Sequence, residues 1–183
     1  MTPLAVQPFS GTYVAAAGAS TFAFAVRHSG VFWFRGDLSD VTATLRGEDD
    51  DLVLDGSAGV ASISVVDPPE MRDSVLGEKF FDTDNHPLVS FRSTAIRLAG
   101  DGRAEVDGEL TMRGATRPVT ATGTFAGPRT ATFGEVAGLE LHTTIDRRDF
   151  GFDWQAEMPG GGDAVGWEVE LTVDLLLVKA QGG

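Results

Sequence analysis

The feature that most restricts how this chain can fold is two-residue alternation. Ala104, Val106, Gly108, Leu110 and Met112 stand against Glu105, Asp107, Glu109, Thr111 and Arg113. Side chains of an extended strand point alternately to opposite faces, so the pattern specifies a strand with one dry side and one wet side. The same rhythm closes the chain: Val165, Trp167, Val169, Leu171, Val173, Leu175 and Leu177 oppose Glu168, Glu170, Thr172 and Asp174. Nearer the start, Phe22, Phe24, Val26 and His28 share one face, and after the Ser29-Gly30 break Phe32, Phe34, Gly36 and Leu38 share another, with Trp33 directed outward. Leu52 and Leu54 begin a strand expected to run through Val65, with a change of face between Val60 and Ile63 that reads as a bulge. Val119, Ala121, Gly123 and Phe125, then Leu139, Leu141, Thr143 and Ile145, repeat the inward pattern.

About eight strands joined mostly by short turns must close on themselves or pair as two layers, because open edges expose unpaired backbone groups. Several are longer than about ten residues, beyond the usual sandwich strand of five or six, and long tilted strands suit a barrel. The expected fold is therefore all-β, an extended eight-stranded antiparallel barrel with a short helical segment near residues 70–77. The 183 residues fit one domain, taken as 11–180 after an N-terminal extension over 1–10. The inward faces mix large side chains with Gly36, Gly108, Ala121 and Gly123, so the residues alone leave a packed core and a hollow one open.

Charge and motifs exclude several functions. A net charge of −13 repels nucleic acid and disfavours an anionic membrane surface. No run is apolar enough for an integral membrane segment, and the start lacks a basic stretch followed by an apolar one, so cytoplasmic residence is expected. Without cysteine there is no thiolate site, and His28, His86 and His142 lack metal-ligand spacing; no metal or other cofactor is expected. No G-x-S-x-G elbow marks a serine, so no catalytic residue is assigned. Arg46–Asp51 reads as a solvated hairpin tip, not a calcium loop. The glycine-rich run 158–163 lacks the Lys-Ser/Thr of a phosphate cradle and reads as a hairpin connection.

The stretch Met71 to Thr94 is the least strand-like. Arg72 to Gly77 read as a helical turn stopped by glycine, and His86-Pro87 breaks the pattern before Val89, Phe91 and Ser93 resume alternation. Of the adjacent Phe80 and Phe81, one is expected in the core and the other on a neighbouring surface or at a pocket mouth. The ordered set Arg72-Asp73, Leu76, Phe80-Phe81-Asp82, Pro87 and Phe91-x-Ser93-Thr94 resembles the YceI-like family of lipocalin-like bacterial proteins that bind polyisoprenoids. Phe24-x-Val26-x-His28, Gly108-x-Leu110-Thr111-x-x-Gly114, Pro118-Val119 and Arg147-x-Asp149-Phe150-Gly151 with Trp154 extend the likeness over nearly the whole chain. Tyr13 stands where that family usually has Trp.

The resemblance implies a cavity, and hence non-catalytic binding, carriage or sequestration of a long isoprenoid such as a polyprenyl phosphate or prenyl quinone precursor. A fatty acid or fatty amide is the nearest alternative ligand, and a lipid-modifying enzyme the alternative of another class. The expected wall is Phe24, Val26, Phe32, Phe34, Leu76, Phe80, Phe91, Val106, Leu110, Trp167, Val169 and Leu171. His28 reads either as a hydrogen-bonded rim residue or as a head-group contact, and Arg72 either as part of a local ion pair or cap or as a head-group contact. Arg147, Arg148 and Asp149 carry the same two readings, and Trp154 is expected over a barrel end. Outward Trp33 and Leu88 are candidate contacts of a homodimer.

Overall fold

The computed structural model describes residues 3–181. Its strands are β1 (Ala5–Val6), β2 (Gly11–Ala15), β3 (Thr21–His28), β4 (Phe32–Leu38), β5 (Val41–Glu48), β6 (Asp51–Gly59), β7 (Leu88–Ala99), β8 (Arg103–Met112), β9 (Ala115–Ala131), β10 (Gly134–Asp146) and β11 (Val165–Lys179). The run β10-β9-β8-β7-β6-β5-β2-β11 returns to β10, which closes an eight-stranded antiparallel barrel.

Closure depends on β11. One edge pairs with β10 from Val136↔Val178 to Asp146↔Glu168. The other edge is shared: Leu177 to Lys179 pair with β2, and Val165 to Asp174 pair with β3. Because β4 continues outward from β3, the barrel has two tiers, a lower ring completed by β2 and β5 and an upper extension built on β3 and β4.

The lower tier is filled. Tyr13, only 1% exposed, meets Phe9 edge-on at 5.2 Å between ring centroids, and Phe125 stands 6.2 Å beyond Phe9. Leu45, Leu98, Val106 and Leu177 complete this plug. Phe9 belongs to the stretch read as an N-terminal extension, within which Ala5 and Val6 pair with Ala99 and Leu98, and Gln7 both accepts from the Phe9 N–H and donates to the Asp49 carbonyl.

The upper end carries the irregular elements. β6 stops at Gly59, and the change of face read as a bulge is a 3-10 turn over Val60–Ser62, where the chain leaves the sheet. Helix α1 (Pro69–Leu76) follows, with Pro69 in its first turn, where a missing N–H costs nothing, and Gly77 at its end. A second 3-10 turn, Arg147–Phe150, starts where β10 ends; Asp146 caps it by accepting from the Arg148 N–H at 2.9 Å.

Removing the plug's outer ring leaves a cavity that the closed strands cannot collapse into. Phe9→Ala is therefore expected to cost ~3–5 kcal/mol in urea unfolding, as for other buried Phe truncations, without altering the upper tier.

Candidate functional site

Above the plug the barrel is hollow. A cavity of about 280 Å³ occupies the upper tier, and a smaller chamber of about 90 Å³ lies below it; Phe22 and Leu171 line both. The larger volume is near the lower end of the ~300–1,000 Å³ usual for small-molecule pockets. Along β11 the lining runs from Val165 through Leu171 to Leu175; with the register shift against β3 between Val165 and Val169 this is roughly 26 Å of strand at ~3.3 Å per extended residue, or about 20 Å along the axis at a ~40° tilt. The space suits a narrow chain.

Two glycines keep it open. Phe24 lies across Gly36 on the paired strand, where a Cβ would come within 2.6 Å of the ring tip. Phe91, whose register partner is Leu110, leans diagonally over Gly108, where a Cβ would also come within 2.5 Å of the Arg92 carbonyl oxygen. Each ring thus lies flat on the wall in place of a missing side chain, and does not fill the lumen.

The expected wall residues fall into groups. Phe24, Val26, Phe34, Phe80 and Val169 line the larger cavity together with His28; Phe91 and Leu110 line the smaller chamber, and Leu171 lines both. Val106 is fully buried but belongs to the plug. Leu76 packs beside the upper core, while its neighbour Val75 takes the place on the lining.

Three expectations need correcting. Trp167 stands outside the lining because β11 shifts register against β3 between Val165 and Val169; its indole N–H donates to Asp163 at 3.0 Å. Phe32 is 49% exposed at the first position of β4, where it stacks on His28 at 5.0 Å between centroids and lies outside the cavity. Arg72 does not reach the cavity; its Nη2 donates to the Ala61 carbonyl at 3.1 Å and ties α1 to the 3-10 turn. Trp33 faces outward beneath the guanidinium of Arg27, 5.0 Å from its ring centroid, and Leu88 is exposed.

Alternation could not supply the lid. Met71, Ser74 and Val75 from α1, Phe80 and Phe81 after it, and Phe152 and Trp154 after the second 3-10 turn close the upper end. Phe81 enters the core against Phe152, with ring centroids 5.2 Å apart, while Phe80 stays at the mouth 5.5 Å from Trp154. Arg113, in the β8–β9 turn, donates from Nη2 to the Glu78 carbonyl at 2.6 Å and from Nη1 to the Gly151 carbonyl at 2.9 Å, so one guanidinium clamps both halves.

Arg147 was signalled in sequence only by its motif. It is 3% exposed and lines the cavity. Its Nε donates to Gly166 O at 2.8 Å, Nη1 to Phe152 O at 2.6 Å and Nη2 to Val165 O at 3.2 Å, while the Trp167 ring centroid lies 4.2 Å from Cζ. Burial lowers its pKa from the ordinary arginine value, although it remains a cation. The Asp146 carboxylate pairs instead with Arg148, whose side-chain hydrogen bonds hold its pKa down at about 2.

The family model described as a YceI-like domain matches residues 13–177. A UPF0312 protein of Pseudomonas putida is 42% identical over 73 residues, covering 39% of this chain and 38% of that relative, so the match spans well under half of its length. Among solved structures, Burkholderia cenocepacia BcnA superposes with a TM-score of 0.73 at 22% identity, covering 90% of this chain and 99% of that one. A polyisoprenoid binding domain from Saccharophagus degradans, implicated in plant cell wall breakdown, superposes with a TM-score of 0.65 at 10% identity, covering 94% and 100%. These two likenesses establish the shared barrel.

Two outcomes follow from the geometry. Gly36→Ala displaces only a ring tip and is expected to cost about 1 kcal/mol, whereas Gly108→Ala also presses on backbone and should cost ~3 kcal/mol, at the upper end for overpacking; chemical denaturation of the pair checks the order. Because folding depresses the Asp146 pKa, its contribution is complete above the unfolded value of about 3.9 and is lost as pH falls through about 2. The melting-temperature gap between wild type and Asp146→Asn should therefore shrink over that window.

Proposed function

The chain belongs to the YceI-like family, and from that premise we propose that its barrel binds a long isoprenoid chain non-covalently, to carry or sequester it. The observation that carries this reading is the apolar cavity continued by a narrower chamber, long in one direction and thin in the others. Such a shape rewards a flexible hydrocarbon tail threaded along the axis. At ~25 cal/mol per Å², burying about 400 Å² of tail contributes ~10 kcal/mol before the cost of ordering it. That affinity arises without directed polar contacts.

Two further points support carriage over chemistry. His28, Ser74 and Arg147 are scattered among carbon on the lining, and Ser74 stands on α1 while His28 ends β3, so nucleophile, base and orienting group are not assembled. The Saccharophagus degradans domain that shares this fold is described as polyisoprenoid binding.

Protein purified from cells and extracted with organic solvent is expected to release a polyprenyl compound identified by mass. A fatty acid or fatty amide of defined mass would replace the isoprenoid reading, and no lipid at all would remove it. Prenyl alcohols of graded length, added at about a hundred times Kd, should raise Tm by roughly 5–10 °C. Leu171→Trp, placed where the chambers meet, should abolish that rise for the longer alcohols and preserve it for short ones.

A further inference from the structure

We infer that Arg147 receives a negatively charged oxygen head group, a carboxylate or a phosphate, so that the ligand lies with its head under the lid and its tail in the inner chamber. This rests on the carrier reading and adds the chemistry of the ligand's polar end.

Three observations carry it. First, Arg147 is a cation almost wholly removed from water, and its acceptors are the neutral carbonyls of Phe152, Val165 and Gly166. Those bonds employ three of the five N–H donors of a guanidinium. Among the described residues no carboxylate is in salt-bridge contact with it, since its sequence neighbour Asp146 is held by Arg148. The carboxylates of Asp146, Asp153 and Asp163 act on it only at a distance, and desolvation outweighs them; in a medium of low polarity an anion in direct contact recovers much of that cost.

Second, Arg147 lines the cavity that the tail would occupy, whereas among the described residues no charged side chain lines the inner chamber. Polarity is therefore graded along the axis, and a ligand with one charged end fits in one direction. Third, the chain as a whole carries −13, a field that works against anions. Anion capture against that field needs a cation met at contact distance in a medium of low polarity, and Arg147 is placed so.

The carbonyl bonds also knit the second 3-10 turn to the start of β11, so removing Arg147 disturbs structure as well as charge. The test starts with the intact wild-type protein. Chains of one length ending in a carboxylate, a phosphate monoester or a neutral carboxamide are compared by displacement of a fluorescent lipid at pH 8. At least tenfold tighter binding of the anions than of the amide is expected, and the carboxylate's advantage should vanish when pH falls below the carboxylate's own pKa. Whichever of carboxylate and phosphate binds better identifies the head group.

Arg147→Gln should then bind anions no more tightly than the amide, whatever its overall affinity, while Arg147→Lys retains part of the preference. Equal binding of amide and anions by the wild type, or an unchanged preference in Arg147→Gln, overturns the inference while leaving the carrier reading intact. Failure of every chain, charged or neutral, to bind overturns the carrier reading, and this inference with it. Should Arg147→Gln not fold, the wild-type comparison decides alone.

Discussion

Everything in this molecule depends on one strand having two sets of partners along one edge. β11 pairs with β10 along one side and hands its other side from β2 to β3 partway up. Sheet edges offer unpaired N–H and C=O groups, and this hand-over satisfies them at two levels. The lower level closes a ring around a plug; the upper level widens the wall without adding to the filling.

The distribution of side-chain volume then decides what is solid and what is empty. Below, Phe9, Tyr13 and Phe125 interlock: Phe9 meets Tyr13 edge to face, as aromatic quadrupoles prefer, and Phe125 at a tilt. Above, Phe24 and Phe91 have comparable bulk but lie over glycines, so their area lines the wall and leaves the axis free. The same residue type fills one tier and lines the other, depending on whether a glycine lies within reach of its ring.

Alternation made most of this readable. β8 reproduces the expected pattern, with Ala104, Val106, Gly108, Leu110 and Met112 all buried. It failed where the chain departs from period two. The register shift between Val165 and Val169 turned Trp167 away from the lumen, and the 3-10 turn at Val60–Ser62 ended a strand expected to continue. A helix carries no period-two signal, so Arg72 and Leu76 could not be placed relative to Val75 by that means. Arg147 could be named from its motif, but its burial and its carbonyl acceptors arise from residues distant in sequence, among them Val165 and Gly166.

The clamp at Arg113 bears on how the upper end stays closed. One guanidinium holds the carbonyls of Glu78 and Gly151 through separate nitrogens, so a single side chain joins the segment after α1 to the segment after the second 3-10 turn. Its Nε, buried with no acceptor among the described residues, contributes nothing to that grip. Parting the two segments at this end therefore costs hydrogen bonds from a charged donor, each worth about 1.5–3 kcal/mol, so the closed end is held by polar contacts on the outer turn as well as by the aromatic packing beneath it.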